Sequence, residues 1–141
     1  MSSQPEADVT VRDFMAKSPQ VLGRNDRLDL AEDIMTMGRI RHLPILDDGE
    51  LVGIISQRDM FRSAAAAALG FVEDTQRALI QTIRIKDIMT ENVVTISPEA
   101  SVKDAARIMI DKKIGCLPVL ERKKLIGIIT ETDILRYVVE R

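Results

Sequence analysis

The sequence predicts an α+β fold made of two copies of one β-α-β-β-α unit, related by a pseudo-twofold axis. Three observations predict it. The chain matches itself without a gap at an offset of 74 residues, so that 11–62 fall on 85–136. Fifteen of those 52 pairs are identical, among them Asp13/Asp87, Met15/Met89, Met35/Met109, Gly53/Gly127, Asp59/Asp133 and Arg62/Arg136. Each copy follows a helical stripe with a hairpin pattern. Such a unit cannot bury both faces of its small sheet alone, so two copies should pack together, and 141 residues suffice for that core.

The elements follow in the same order in each copy. A short extended piece comes first, at 19–22 and 93–96. An amphipathic helix comes next. Val102, Ala105, Ala106 and Met109 keep the spacing of one helical face, and Ser101 with Asp104 forms an N-terminal cap signal. Leu28, Ala31 and Met35 hold the matching stripe in the first copy.

Strands at 43–46 and 117–120 are opened by Leu-Pro, and a proline without a ladder donor fits a strand start. Polar turns at 47–50 and 121–124 lead to second strands at 51–55 and 125–129. These run into helices capped by Ser56 and Thr130. The alanine run at 64–68 reads as an extension of the first copy's last helix, with Gly70 ending or bending it and a further helical stretch around 71–80. The expected organisation is an N-terminal extension (1–10), a first motif (11–69), a helical linker (70–84) and a second motif (85–141).

Composition excludes several classes of function. Twenty basic against 22 acidic residues leave a net charge of −2, without the basic excess that a duplex-binding surface needs. The four aromatics, Phe14, Phe61, Phe71 and Tyr137, are too few for a base-stacking platform. No nucleic-acid partner is expected. The single Cys116 rules out an internal disulfide and fits a reducing compartment. No apolar run approaches the length of a membrane span and no charged leader precedes one, so no membrane partner and a cytoplasmic setting are expected. The methionines, mostly at stripe and opening positions, read as core gap-fillers, and Arg122-Lys123-Lys124 as a solvated hairpin tip.

The strongest motif is Gly53-Ile54-Ile55-Ser56-Gln57-Arg58-Asp59, echoed as Gly127-Ile128-Ile129-Thr130-Glu131-Thr132-Asp133. A strand that ends in a hydroxyl residue at a helix N-terminus offers outward amides and a positive dipole to an anion. A carboxylate one turn later can accept two hydrogen bonds from a ribose cis-diol. It can equally form a capping box and satisfy a backbone amide. A strand glycine that admits close approach, present in both copies, inclines the reading toward a ligand.

With the Leu-Pro strands and the openings Asp13-Phe14-Met15 and Asp87-Ile88-Met89, this motif pair resembles two CBS (cystathionine-β-synthase-type) domains, over about residues 11–62 and 85–136. The resemblance implies that each aspartate holds ribose and that each cleft borrows from the other copy. One cleft would then be lined by Asp133, Thr130, Thr132 and Ile128 with Ser18, Gln20, Ile40, Arg41 and His42. The other would be lined by Asp59, Ser56, Arg58 and Ile54 with Val93, Val94, Ile114, Gly115, Cys116 and Lys86. The clefts differ. Arg41 offers paired bonds to phosphate, whereas Gly115 and Cys116 carry no charge at the repeat-equivalent positions, so the Asp133 cleft is expected to be the better phosphate site.

The resemblance further implies a regulatory module that senses AMP, ADP or ATP, with S-adenosylmethionine or NAD as variants. It also implies a homodimer and an output to a separate enzyme or transporter. The apolar helices of 64–80 would supply the dimer surface. The alternative is an interaction protein with vestigial clefts. No catalytic residue, metal site or required cofactor is expected. His42 is the single histidine and Cys116 has no adjacent base, so neither a nucleophile pair nor a set of three converging metal ligands is in view.

Overall fold

The structure, a computed structural model, describes residues 9–68, with backbone alone at 64–68, and 83–141. Most of the expected extension over 1–10, Gly70 and the helical stretch expected around 71–80 lie outside these residues. In chain order the described elements are α1 (Val11–Phe14), β1 (Ala16–Lys17), β2 (Leu22–Gly23), α2 (Leu28–Gly38), β3 (His42–Asp47), β4 (Glu50–Ser56), α3 (Gln57–Ala68), α4 (Ile85–Ile88), α5 (Val102–Lys112), β5 (Cys116–Glu121), β6 (Lys124–Thr130) and α6 (Glu131–Glu140).

The chain forms two compact units: a continuous one of residues 20–93, and a composite one that joins 1–19 to 94–141. In the continuous unit the sheet order is β2-β3-β4, with β2 parallel to β3 and β3 antiparallel to β4. The hairpin pairs Leu43 with Ile55 and Ile45 with Gly53. Alternation along β3 sends Leu43 and Ile45 inward, where they meet Leu28, Ala31 and Met35 of α2 and Met60 of α3. The helix stops at Arg39, whose left-handed φ of 53° lets its N–H return to the Met35 carbonyl.

The composite unit repeats the plan. β5 and β6 form the hairpin, Ala105 and Met109 of α5 face Leu117, Val119 and Ile129, and Ser101 Oγ accepts from Asp104 N at 3.0 Å. The expected helices and hairpins are therefore present in both copies, each strand being one or more residues longer than the sequence signals implied.

The openings cross over between the two copies of the repeat. α1 begins the first copy yet packs with the second copy's strands: Val11 is fully buried, its N–H bonds the Ala100 carbonyl at 2.8 Å, and β1 pairs with β6. Arg12 adds ion pairs to Glu99, at 2.9 Å, and to Glu121. α4 begins the second copy yet buries Ile85 among the first copy's residues, with its N–H on the Asp26 carbonyl at 2.9 Å. The boundaries of the packed units thus differ from those of the repeat.

Two local features differ from expectation. The extended pieces expected at 19–22 and 93–96 pair only at Leu22–Gly23 and, as a single parallel bridge, between Ile96 and Val119. The next pairs backward would fall on Pro44 and Pro118, which have no N–H to give a ladder. The one-turn helices α1 and α4 are a gain. Thr10 N donates to Asp13 Oδ2 at 3.2 Å and Arg84 N to Asp87 Oδ2 at 3.1 Å, so the aspartates of the openings cap these turns.

Candidate functional site

Each hairpin ends where its second strand passes into a helix, and there the motif aspartates lie. In the continuous unit Ser56 N donates to Asp59 Oδ2 at 2.9 Å, and Asp59 N donates to Ser56 Oγ at 3.1 Å, a reciprocal capping box. In the composite unit Thr130 N donates to Asp133 Oδ2 at 2.9 Å and Thr130 Oγ1 to the same oxygen at 3.2 Å. Asp133 is only 8% exposed, a rare burial for a carboxylate, and its other oxygen lies 3.4 Å from an Arg136 guanidinium nitrogen. Both aspartates therefore cap a helix, as the plainer of the two sequence readings expects. A carboxylate has about four acceptor sites, so capping through Oδ2 leaves Oδ1 able to accept further bonds.

The helix-end amides are used more than the sequence suggests. Gln57 N donates to the Arg41 carbonyl at 2.8 Å and Glu131 N to the Gly115 carbonyl at 3.1 Å. With the Ser56 and Asp59 amides also bonded, the mouth of α3 has little backbone left for an anion. A phosphate here would rely on side chains, and Arg41, whose carbonyl takes the Gln57 amide, is exposed. Neighbouring register brings His42 opposite Ser56, and Cys116 opposite Thr130.

The expected cleft residues distribute over both units. The composite unit holds Asp133, Thr130, Thr132, Ile128 and Ser18, together with Val94, Ile114, Gly115 and Cys116. The continuous unit holds Asp59, Ser56, Arg58, Ile54, Val93 and Lys86, together with Gln20, Ile40, Arg41 and His42. Thr132, Arg58, Lys86, Gln20 and Ser18 are exposed, and Ser18 has a left-handed φ of 50°. Cys116 is buried, and desolvation, aided by the charge of Glu131, pushes its thiol up to about 12, far from a thiolate nucleophile. Among the described residues no group of three or more His, Cys, Asp or Glu could hold a metal, and no helix is long and apolar enough to cross a membrane.

Three participants escaped the sequence reading. Arg136 pairs with Asp133, and its only signal was identity with Arg62 in the repeat. Met15 and Met89 explain the motif glycines. A Cβ on Gly127 would lie 2.5 Å from Met15 Sδ, and one on Gly53 2.5 Å from Met89 Sδ. The close approach that these glycines admit is made by the chain's own opening segments, so they are not a signal for a ligand.

Known proteins share this fold. The family model described as CBS domain matches residues 11–66 and 85–140. A CBS domain-containing protein of Dictyostelium discoideum is 33% identical over 129 residues, covering 90% of this chain and 89% of that protein. The solved CBS domain pair of protein MJ0100, in complex with 5′-methylthioadenosine and S-adenosyl-L-methionine, is 31% identical, with a TM-score of 0.77 over 95% of this chain and 98% of that one. CBSX2 in complex with AMP is 27% identical, with a TM-score of 0.77 over 94% and 97%.

Proposed function

Because the chain belongs to the CBS-domain family, as a tandem pair of its domains, we propose that it is a regulatory module that binds an adenosine-containing ligand, with AMP, ADP or ATP preferred. The observation that carries this is the pair of capped aspartates, Asp59 and Asp133, each held at a strand-to-helix junction with Oδ2 fixed by a backbone amide. A carboxylate held in this way loses less freedom when its second oxygen meets a diol, which favours binding. Of the two aspartates Asp133 is proposed as the stronger diol acceptor, and the exposed Arg41 as a contact for phosphate. The AMP complex of the similar CBSX2 supports the choice of ligand.

The similar MJ0100 pair, with its bound S-adenosyl-L-methionine, favours a second reading within the same class. A third reading, an interaction module with vestigial clefts, is favoured by the capping bonds themselves, since they account for both aspartates without a ligand. The proposal includes no catalytic step. Ligand occupancy would pass to a separate effector, an enzyme or transporter, and it can shift an equilibrium only by binding two arrangements unequally. We also propose a homodimer. Phe61 and its repeat equivalent Leu135 are each 65% exposed, and Val138 and Val139 extend the apolar face of α6. The 64–80 surface expected for this role falls mostly outside the described residues.

Calorimetric titration with AMP, ATP and S-adenosylmethionine tests the reading, with thermal denaturation alongside. A ligand at 100 times its Kd should add about 2.7 kcal/mol to stability. Binding of S-adenosylmethionine in preference to AMP would select the second reading. Absence of binding by all three would leave the interaction module.

A further inference from the structure

Arg136 stands at a junction that the functional reading so far leaves unused. From the second turn of α6 its Nη2 lies 3.4 Å from Asp133 Oδ1 and donates to the Phe14 carbonyl at 3.0 Å. The guanidinium carbon sits 5.5 Å from the centroid of the Phe14 ring, and that ring meets Tyr137 edge-on, also at 5.5 Å. Three contacts thus hold an arginine that is half exposed. All belong to the composite unit. Asp133 is in consequence gripped from both sides, with Oδ2 on the backbone and hydroxyl of Thr130 and Oδ1 beside the guanidinium. Among the described residues the other unit shows no such grip. Arg62 is the repeat equivalent, but among the described residues it makes no ion pair with Asp59, whose carboxylate takes the Ser56 amide on Oδ2.

We propose that Arg136 is a positioning residue for Asp133: it fixes the carboxylate plane so that Oδ1 accepts from a ligand's cis-diol, and so makes Asp133 discriminate ribose from 2′-deoxyribose more sharply than Asp59. The proposal rests on the reading of Asp133 as the diol acceptor. Its physical basis is that a hydrogen bond to a charged acceptor discriminates strongly only when that acceptor is already aimed. An untethered carboxylate turns about its terminal bond, which is a broad torsion, and loses part of each bond to the ordering of the group. A guanidinium holds that plane by direction as well as by charge, which an ammonium cannot do equally.

The test compares Kd for AMP and for 2′-deoxy-AMP by calorimetry in the full chain, in wild type, Arg136→Gln, Arg136→Lys and Arg62→Gln. Wild type should prefer AMP by about tenfold or more, the worth of one hydrogen bond to a charged group. Arg136→Gln should reduce that preference to roughly two- or threefold, mainly through weaker AMP binding, and Arg136→Lys should fall between. Arg62→Gln should leave it unchanged. The ratio separates aiming from net charge, since loss of a positive charge weakens both nucleotides alike. If Arg136→Gln does not fold, Arg136→Lys carries the test. An undiminished preference in the Arg136 variants overturns the role of Arg136 alone. A wild type that binds both nucleotides equally, or neither, overturns the diol reading on which it rests.

Discussion

Met15 packs its sulfur against the backbone of Gly127. A Cβ there would lie 2.5 Å from Sδ and 2.8 Å from the Ala16 carbonyl oxygen, inside any real contact distance. A thioether can move aside, but a carbonyl held in the β1–β6 pairing cannot do so cheaply. Gly127→Ala should therefore destabilise by about 1–3 kcal/mol, as overpacking does. Gly53→Ala should cost less, because the carbonyl of Thr90 would stand 3.1 Å away. Urea denaturation of the two variants checks the order, and an unchanged midpoint for Gly127→Ala would refute the packing account.

The crossed openings make a second prediction. Ile85 lies in a four-residue helix that no propensity would sustain, yet its side chain is fully buried with Leu43, Ile45 and Ile55. Ile85→Ala should cost about 2–5 kcal/mol, as a core truncation does. The same change at Ile110, 74% exposed on α5, should stay within about 0.5 kcal/mol. Equal effects in denaturant melts would show that the opening is not part of the core.

That contrast shows what the sequence could disclose. The stripes Leu28-Ala31-Met35 and Val102-Ala105-Met109 and the hairpins are local periodicities, so they were legible, and duplication made them legible twice. The destination of Val11 and Ile85 was not. Each is a lone apolar residue between polar ones, and only the three-dimensional pairing tells which sheet it covers. For the same reason Gly53 and Gly127 could be read as places of close approach, while the approaching group, a methionine some 36 to 112 positions distant, could not be named. The aspartates were legible as capping or diol-binding groups, since [ST]-x-x-D fits both chemistries. Arg136 was hidden because its partner lies only one turn away and looks like any surface ion pair.

Cys116 gives a prediction in pH. Burial raises its thiol from an ordinary 9.0 to about 12, so the folded state holds the proton more tightly than the unfolded chain. The resulting contribution to stability is complete below pH 9 and is lost as pH rises from 9 toward about 12. Denaturation midpoints should fall more steeply over that window in wild type than in Cys116→Ala. The native thiol should also resist iodoacetamide at pH 8 until urea unfolds the chain. Rapid native labelling would contradict the burial.

The proposed homodimer rests on the equivalence of Phe61 and Leu135. Both side chains are largely exposed, so Phe61→Glu with Leu135→Glu should leave the fold's stability within about 1 kcal/mol while placing charge in any apolar interface they form. Sedimentation should then show dimer for wild type and monomer for the double variant. A wild type that sediments as a monomer at high concentration, or a double variant that remains dimeric, would remove these helices from the interface.

Capping and ligand binding by the aspartates can be separated, because asparagine keeps an acceptor for the backbone amide and loses the charge. Asp133→Asn should retain the bond from Thr130 N, with a stability loss of at most about 1 kcal/mol, within the usual range for caps. The same change removes the charge beside Arg136 and turns a charged acceptor into a neutral one, which should weaken AMP binding by about tenfold. Asp59→Asn should weaken it less, because among the described residues no guanidinium stands beside Asp59 as Arg136 stands beside Asp133. Equal losses would remove the inequality between the two sites but keep the nucleotide reading. AMP affinity unchanged in both variants, with melting temperatures also unchanged, would reduce the two carboxylates to helix caps.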